Sequence, residues 1–164
     1  MFVRDPSWMF SGLSLLLATA ILVTSTVLWK AADERRALAS SQVAASSAAT
    51  TIVQKLLGYD YRSFDQHTSQ VSVLLTGSLR NQFVQAATTV VKPLAVQNQA
   101  VVLARVSKAS VMSTPHQADV KILLFVDQST TSAKLQHPQI DQNRVMLTMS
   151  KVAGRWLVAK IEAF

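Results

Sequence analysis

From Trp8 to Trp29 the chain runs WMFSGLSLLLATAILVTSTVLW, without a single charged side chain. As a helix, a segment of that length spans roughly 33 Å at about 1.5 Å per residue, enough for the hydrocarbon core of a bilayer. Tryptophans at both ends stand where an aromatic belt would place them. A cleaved signal peptide would carry a shorter apolar region of about 7–15 residues and a small-residue cleavage pattern. Here Leu28-Trp29-Lys30 follows instead. The segment is therefore expected to be a retained single-pass transmembrane helix, with residues 1–7 as a short N-terminal tail. It holds much of the excess behind the 49% hydrophobic content and the mean hydropathy of +0.25. What remains, about 130 residues, is the size of one domain with a single core.

Sixteen basic and nine acidic residues give a net charge of +7. Most of the cations are scattered singly, and the tight group is Lys30, Arg35 and Arg36, directly after the apolar run. No basic helix and no basic–aromatic interleaving is present, so a nucleic-acid partner is not expected. Contact with anionic headgroups explains the juxtamembrane group. Read by the positive-inside rule, the same three residues would keep the following domain in the cytoplasm. Cysteine is absent, which removes disulfides, thiolate nucleophiles and cysteine-ligated metals.

Behind the anchor, residues 30–57 are rich in Ala and Ser, with neither Pro nor Gly before Gly58. Alanine is the strongest helix former. Ile52, Leu56 and Tyr59 fall at i, i+4 and i+7, which predicts a juxtamembrane helix that becomes the first domain helix and stops near Leu57. Shorter helices are expected at Phe64–Leu75 and from Ser78 onward, Ser78 acting as N-cap and Pro93 ending or kinking the second. From about Ala100 the apolar period changes from 3.6 to 2. Strands are expected over Val101–Val106 and onward toward Met112, over Ala118–Asp127, from Val145 to Ser150, and over Trp156–Ile161. Ser113–His116 reads as a turn, Gln128–Gln142 as a polar loop and Ala153-Gly154 as a tight turn. Helices followed by strands argue an α+β domain, residues 58–164 completing it, with an antiparallel sheet covered on one face by helices.

No catalytic constellation stands out. His67, His116 and His137 share no metal-ligand spacing, the glycines form no phosphate loop, and no nucleophile elbow is present. No metal, no cofactor and no enzymatic activity are therefore expected. One segment does stand apart, Tyr59-Asp60-Tyr61-Arg62-Ser63-Phe64-Asp65. It is either a packing corner, with aromatics turned inward and Asp60 or Ser63 capping the next helix, or a recognition corner at a cavity mouth.

Leu56-Leu57-Gly58-Tyr59-Asp60-Tyr61-Arg62 and Leu74-Leu75-Thr76-Gly77-Ser78-Leu79-Arg80, with Gly154-Arg155-Trp156-Leu157-Val158 near the end, resemble the signature of the Mce-associated membrane proteins of mycobacteria and related actinobacteria. That resemblance extends over nearly the whole chain. It implies a cone-shaped, nuclear transport factor 2-like domain of three helices and a four-stranded antiparallel sheet. It also implies a single-pass protein of the cytoplasmic membrane whose domain faces the extracytoplasmic side, against the flanking charges. The role it implies is that of a non-enzymatic accessory subunit of an Mce lipid or sterol transporter in the cell envelope, with Mce and permease subunits as partners. Candidate contacts are Tyr59, Asp60, Tyr61 and Arg62, together with Gly12 and Ala18, small residues that let the anchor approach permease helices. Two alternatives stand beside this one. The first is a cone-fold binder of a small apolar ligand or an enzyme, for which Asp119 or Tyr61 would supply the acid or base. The second is an inner-membrane scaffold of a secretion system.

Overall fold

The computed structural model describes the backbone from Ser7 and side chains from Trp29 onward. The expected anchor, Gly12 and Ala18 included, lies, all but Trp29, outside the residues whose side chains are described. Among the residues whose side chains are described, which leave out 1–28, no helix is long and apolar enough to cross a membrane. The chain falls into two compact units, Met1–Ala39 and Ser40–Phe164. In the first, Lys30, Arg35 and Arg36 are exposed.

Helix α1 runs Ser7–Leu57 and ends where the sequence placed its stop. Within the second unit its buried face is Ala45, Ala49, Ile52 and Val53, a helical spacing that puts small residues against the sheet. Strand β1 is only Tyr59–Asp60 and leads into a 3₁₀ turn, Tyr61–Ser63. Helix α2, Phe64–Ser72, and helix α3, Gly77–Ala86, follow. Ser78 is not the N-cap of α3: Thr76 takes that place, and Gly77 enters the helix at φ 58°, a left-handed value that glycine adopts without strain. Nor does Pro93 end the helix. A π-helical segment, Ala87–Val91, passes directly into helix α4, Lys92–Asn98, with Pro93 in its first turn. The wide turn gives room to a ring that would otherwise meet the carbonyl of Thr89. The run stops only at Gln99, in the left-handed conformation at φ 50°.

Four long strands complete the unit: β2 Val101–His116, β3 Asp119–Thr131, β4 Gln139–Val152 and β5 Arg155–Ala163. The expected four-stranded sheet is five-stranded and antiparallel, in the order β1-β2-β3-β4-β5, because Tyr59 and Asp60 pair with Val102 and Val101. Ser113–His116 is strand rather than turn. Register shifts at Val111/Ser113 and Ser113/His116 bulge β2 there, and because β1 pairs only with Val101 and Val102 this end of β2 lies at the sheet edge, where Pro115 does least harm. The polar loop shrinks to residues 132–138, since Gln128–Thr130 pairs with Gln139–Asp141 and Thr131 with Val101. The turn at Ala153-Gly154 stands as expected, both residues at positive φ.

Val120, Ile122, Leu124 and Val126 of β3 line one face, and Val145, Leu147 and Met149 of β4 lie beside them, all 0–1% exposed. Val71, Leu75, Val158 and the α1 face close this core. A second, smaller cluster holds Phe64, Ala87 and Ala95, with Tyr59, Tyr61, Phe83 and Val91 against it.

Candidate functional site

The two motif segments meet around one cavity. At the end of α1, Gly58 is required by closeness rather than by backbone angle: a Cβ there would stand 2.9 Å from the Gln54 carbonyl oxygen and 3.1 Å from that of Val102. This tight passage brings Tyr59 to the sheet edge. The Tyr59 ring meets Phe64 edge-on at 5.4 Å, and burial pushes its phenol above the usual tyrosine range. Asp60 accepts the Arg62 backbone N–H at 2.9 Å and the Arg62 guanidinium at 2.7 Å. Those bonds to Arg62 hold its carboxyl below the ordinary carboxylate range. Arg62 also lies 5.6 Å over the Tyr61 ring. Asp60 is therefore a cap, of the 3₁₀ turn, while Ser63 makes no capping bond. The four candidates Tyr59, Asp60, Tyr61 and Arg62 do come together, as a braced corner.

The second segment is held by different bonds. Leu75 sits fully buried beside β5, where Thr76 N–H donates to the Val158 carbonyl and Val158 N–H to that of Leu74, both at 3.0 Å. Arg80 folds back to donate to the carbonyls of Ser72 and Leu75 at 2.9 and 2.8 Å, satisfying groups at the end of α2.

Between these segments lies a cavity of about 440 Å³. Its walls are largely apolar: Leu56 and Leu57 from α1, Phe64 from α2, Leu79 and Phe83 from α3, and Ile161 from β5. Few polar groups reach it. Gln128 donates to the Leu57 carbonyl at 3.0 Å and accepts from Asn143 at 2.6 Å, so its amide is engaged. Thr68 donates to the Phe64 carbonyl. His67 Nε2 lies 2.8 Å from the Lys55 carbonyl oxygen, which can only accept, so Nε2 carries the hydrogen and, in a neutral imidazole, Nδ1 is left as an acceptor. No hydrogen bond to Nδ1 forms among the described residues. His67, which the sequence marked only by its lack of a metal-ligand spacing, thus belongs to the cavity lining, and its place follows from the folding of α2 back over α1.

Asp119 and Tyr61 do not share this site. Asp119 accepts from Ser150 at 2.6 Å beside the β2–β3 turn, and Tyr61 lies near the opposite end of β2. Roughly the length of β3 separates them, ~40 Å at about 3.3 Å per residue. His116 and His137 lie in β2 and in the 132–138 loop, and among the described residues no three His, Asp or Glu side chains converge on a metal-sized site.

A second feature escaped the sequence reading. On the sheet face away from the core, Leu103 and Ile140 stand 69% and 70% exposed on either side of Ser129, and Phe125 lies between Lys108 and Arg144. The period-2 alternation of β3 held the signal, since Leu123 and Phe125 fall out of phase with the buried set.

No family model matches the chain. It is 35% identical over 105 residues to the uncharacterized protein Rv1362c of Mycobacterium tuberculosis, covering 64% of this chain and 47% of that one. It is 32% identical over 107 residues to a protein of the same organism named outer membrane protein Rv1973, covering 65% and 66%. The chain thus spans about half the length of the first of these relatives and just under two thirds of the second. Among solved structures, CagV, a VirB8 homolog of Helicobacter pylori, superposes with a TM-score of 0.60 at 15% identity, over 74% of this chain and 96% of that one. The VirB8 protein of Agrobacterium tumefaciens superposes with a TM-score of 0.61 at 11% identity, over 76% and 92%. The chain therefore has the α+β fold of VirB8-type, nuclear transport factor 2-like domains.

Proposed function

We propose that this protein is a non-enzymatic scaffold subunit of a multiprotein complex in the cell envelope, held by Trp8–Trp29 with the domain on the extracytoplasmic side of the cytoplasmic membrane. The observation that carries the reading is the outer sheet face. Leu103, Phe125 and Ile140 stand exposed there, with the row Arg105, Asp127 and Gln142 between them and Lys108 and Arg144 beside Phe125, a mixed apolar and charged surface of the kind that protein partners cover. The braced corner at Tyr59, Asp60, Tyr61 and Arg62 offers a second, rigid contact, and Gly12 and Ala18 would let the anchor pack against other membrane helices. The name of one relative, an outer membrane protein, supports an envelope location.

Two machines fit such a subunit. Similarity of fold to VirB8-type proteins supports an inner-membrane scaffold of secretion type more directly. The YDYR and LLTG segments support an accessory subunit of an Mce lipid or sterol transporter. Co-purification of the tagged full-length chain from its native host in mild detergent, with partners identified by mass spectrometry, tests the scaffold role and separates the two. Mce and permease subunits would assign it to lipid transport, and channel or ATPase subunits of a secretion system to the other. Recovery of the chain alone from intact membranes would contradict the scaffold role.

A further inference from the structure

We infer that the cavity between the two motif segments is a binding site for a small amphiphile: an apolar body carrying a single hydroxyl. This does not depend on the scaffold role. At about 440 Å³ the space exceeds what packing faults leave in a folded core, and it falls within the roughly 300–1,000 Å³ typical of small-molecule sites. Its lining decides the ligand. Leucine, phenylalanine and isoleucine walls favour a hydrocarbon body, because water inside would find few partners. A charged headgroup would find no countercharge, since the lining contains neither Lys, Arg, Asp nor Glu. Of the polar lining groups, Thr68 and Gln128 are already engaged and Gln82 stands exposed at the opening, which leaves the Tyr59 hydroxyl and His67 Nδ1 without a side-chain hydrogen bond among the described residues. An imidazole acceptor beside a phenol calls for a group that can both donate and accept, and a hydroxyl does so without bringing charge.

The walls are arranged for entry from one side. Gln82 and Ala86 line the cavity from α3 and are themselves exposed, so the opening lies along that helix. The π-helical segment begins at the next residue, Ala87, which is buried against the cavity. An isolated π turn of this kind rotates the residues that follow it, and here it sets Val91 on the cavity wall despite Pro93 downstream. The tight Gly58 passage serves the same space from the other side: it places Leu57 and Tyr59 on adjacent walls.

The test uses the full-length chain in native membranes and a photoactivatable twelve-carbon alcohol bearing a diazirine, with labelled sites mapped by peptide mass spectrometry. Labelling is expected on peptides from residues 56–67 and 77–91. Ala86→Trp, which fills the opening from an exposed position, should lower that labelling about tenfold or more. Unlabelled 1-dodecanol should compete, while 1-methoxydodecane, the same body without the donor, should compete several-fold less. In His67→Phe the two competitors should become equivalent, which a merely structural histidine would not produce. Labelling confined to residues 8–29, or undiminished by Ala86→Trp, would overturn the site. Equal competition by the alcohol and the ether in the unaltered chain would overturn the choice of a hydroxyl ligand.

Discussion

The two faces that meet in Ser40–Phe164 are built to different standards. Where β3 and β4 meet α1, every inward side chain from Val120 to Val126 and from Val145 to Met149 is buried to 0–1%. Across the helical flank of α2, α3 and α4 the buried apolar residues are few, Phe64, Val71, Ala87 and Ala95, and a cavity of about 440 Å³ stands beside them. One side of the domain is closed and the other is hollow. A closed side fixes the register of the sheet, because slipping by one residue would expose the whole inner row. A hollow side gives up dispersion contacts, and an unfilled space of this size is a stability cost that a ligand could offset.

Substitutions can break that contrast. The largest effect is expected at Leu124 or Ile122, where truncation to alanine removes packed methyl groups from the closed side and should cost about 2–5 kcal/mol in chemical denaturation of the full chain. Gly58→Ala comes next, at roughly 1–3 kcal/mol, because its Cβ would press on two backbone oxygens that cannot move independently. Phe83→Ala should cost less than Ile122→Ala, below about 2 kcal/mol, since Phe83 already borders empty space. An equal loss would mean that the cavity is filled.

The smallest effects are those of pH, at the corner that joins the two sides. The Tyr59 phenol is raised by burial, so its contribution is complete below the unfolded value of 10.0 and is lost as pH climbs through the folded value. Stability above pH 10 should therefore fall more in the unaltered chain than in Tyr59→Phe. Asp60 is lowered by Arg62, so its contribution is present above its unfolded value of 3.8 and disappears as pH drops through the lower folded one. Asp60→Asn should flatten that acid limb slightly, the pair being solvent-exposed.

Much of the closed side was legible in the sequence, and little of the hollow side. Val120, Ile122, Leu124 and Val126 announce a half-buried strand by alternation alone, and the end of α1 shows at Gly58. Strand β1 could not be read: two residues have no period, and Tyr59 and Asp60 become a strand only by pairing with Val101 and Val102 forty residues later. Turn-forming residues at Ser113–His116 and polar ones at Gln128–Thr131 were overridden by ladder bonds to neighbours that local composition does not encode. Of the two readings at Pro93, an end to the helix failed because the relief, a π turn, lies upstream of it. The braced corner was visible as YDYR. Its link to His67 and to Leu75 was not, since a cavity is a property of how helices cross.

The division into a closed sheet side and a hollow helical flank is tested most directly by native-state hydrogen exchange on the full chain. Amides of Val120–Val126 and Val145–Met149 should exchange only through global unfolding, while those of the helical run 77–98 should exchange through local openings at least about tenfold more frequent. Equal protection across both regions, or greater protection in the helical run, would contradict it.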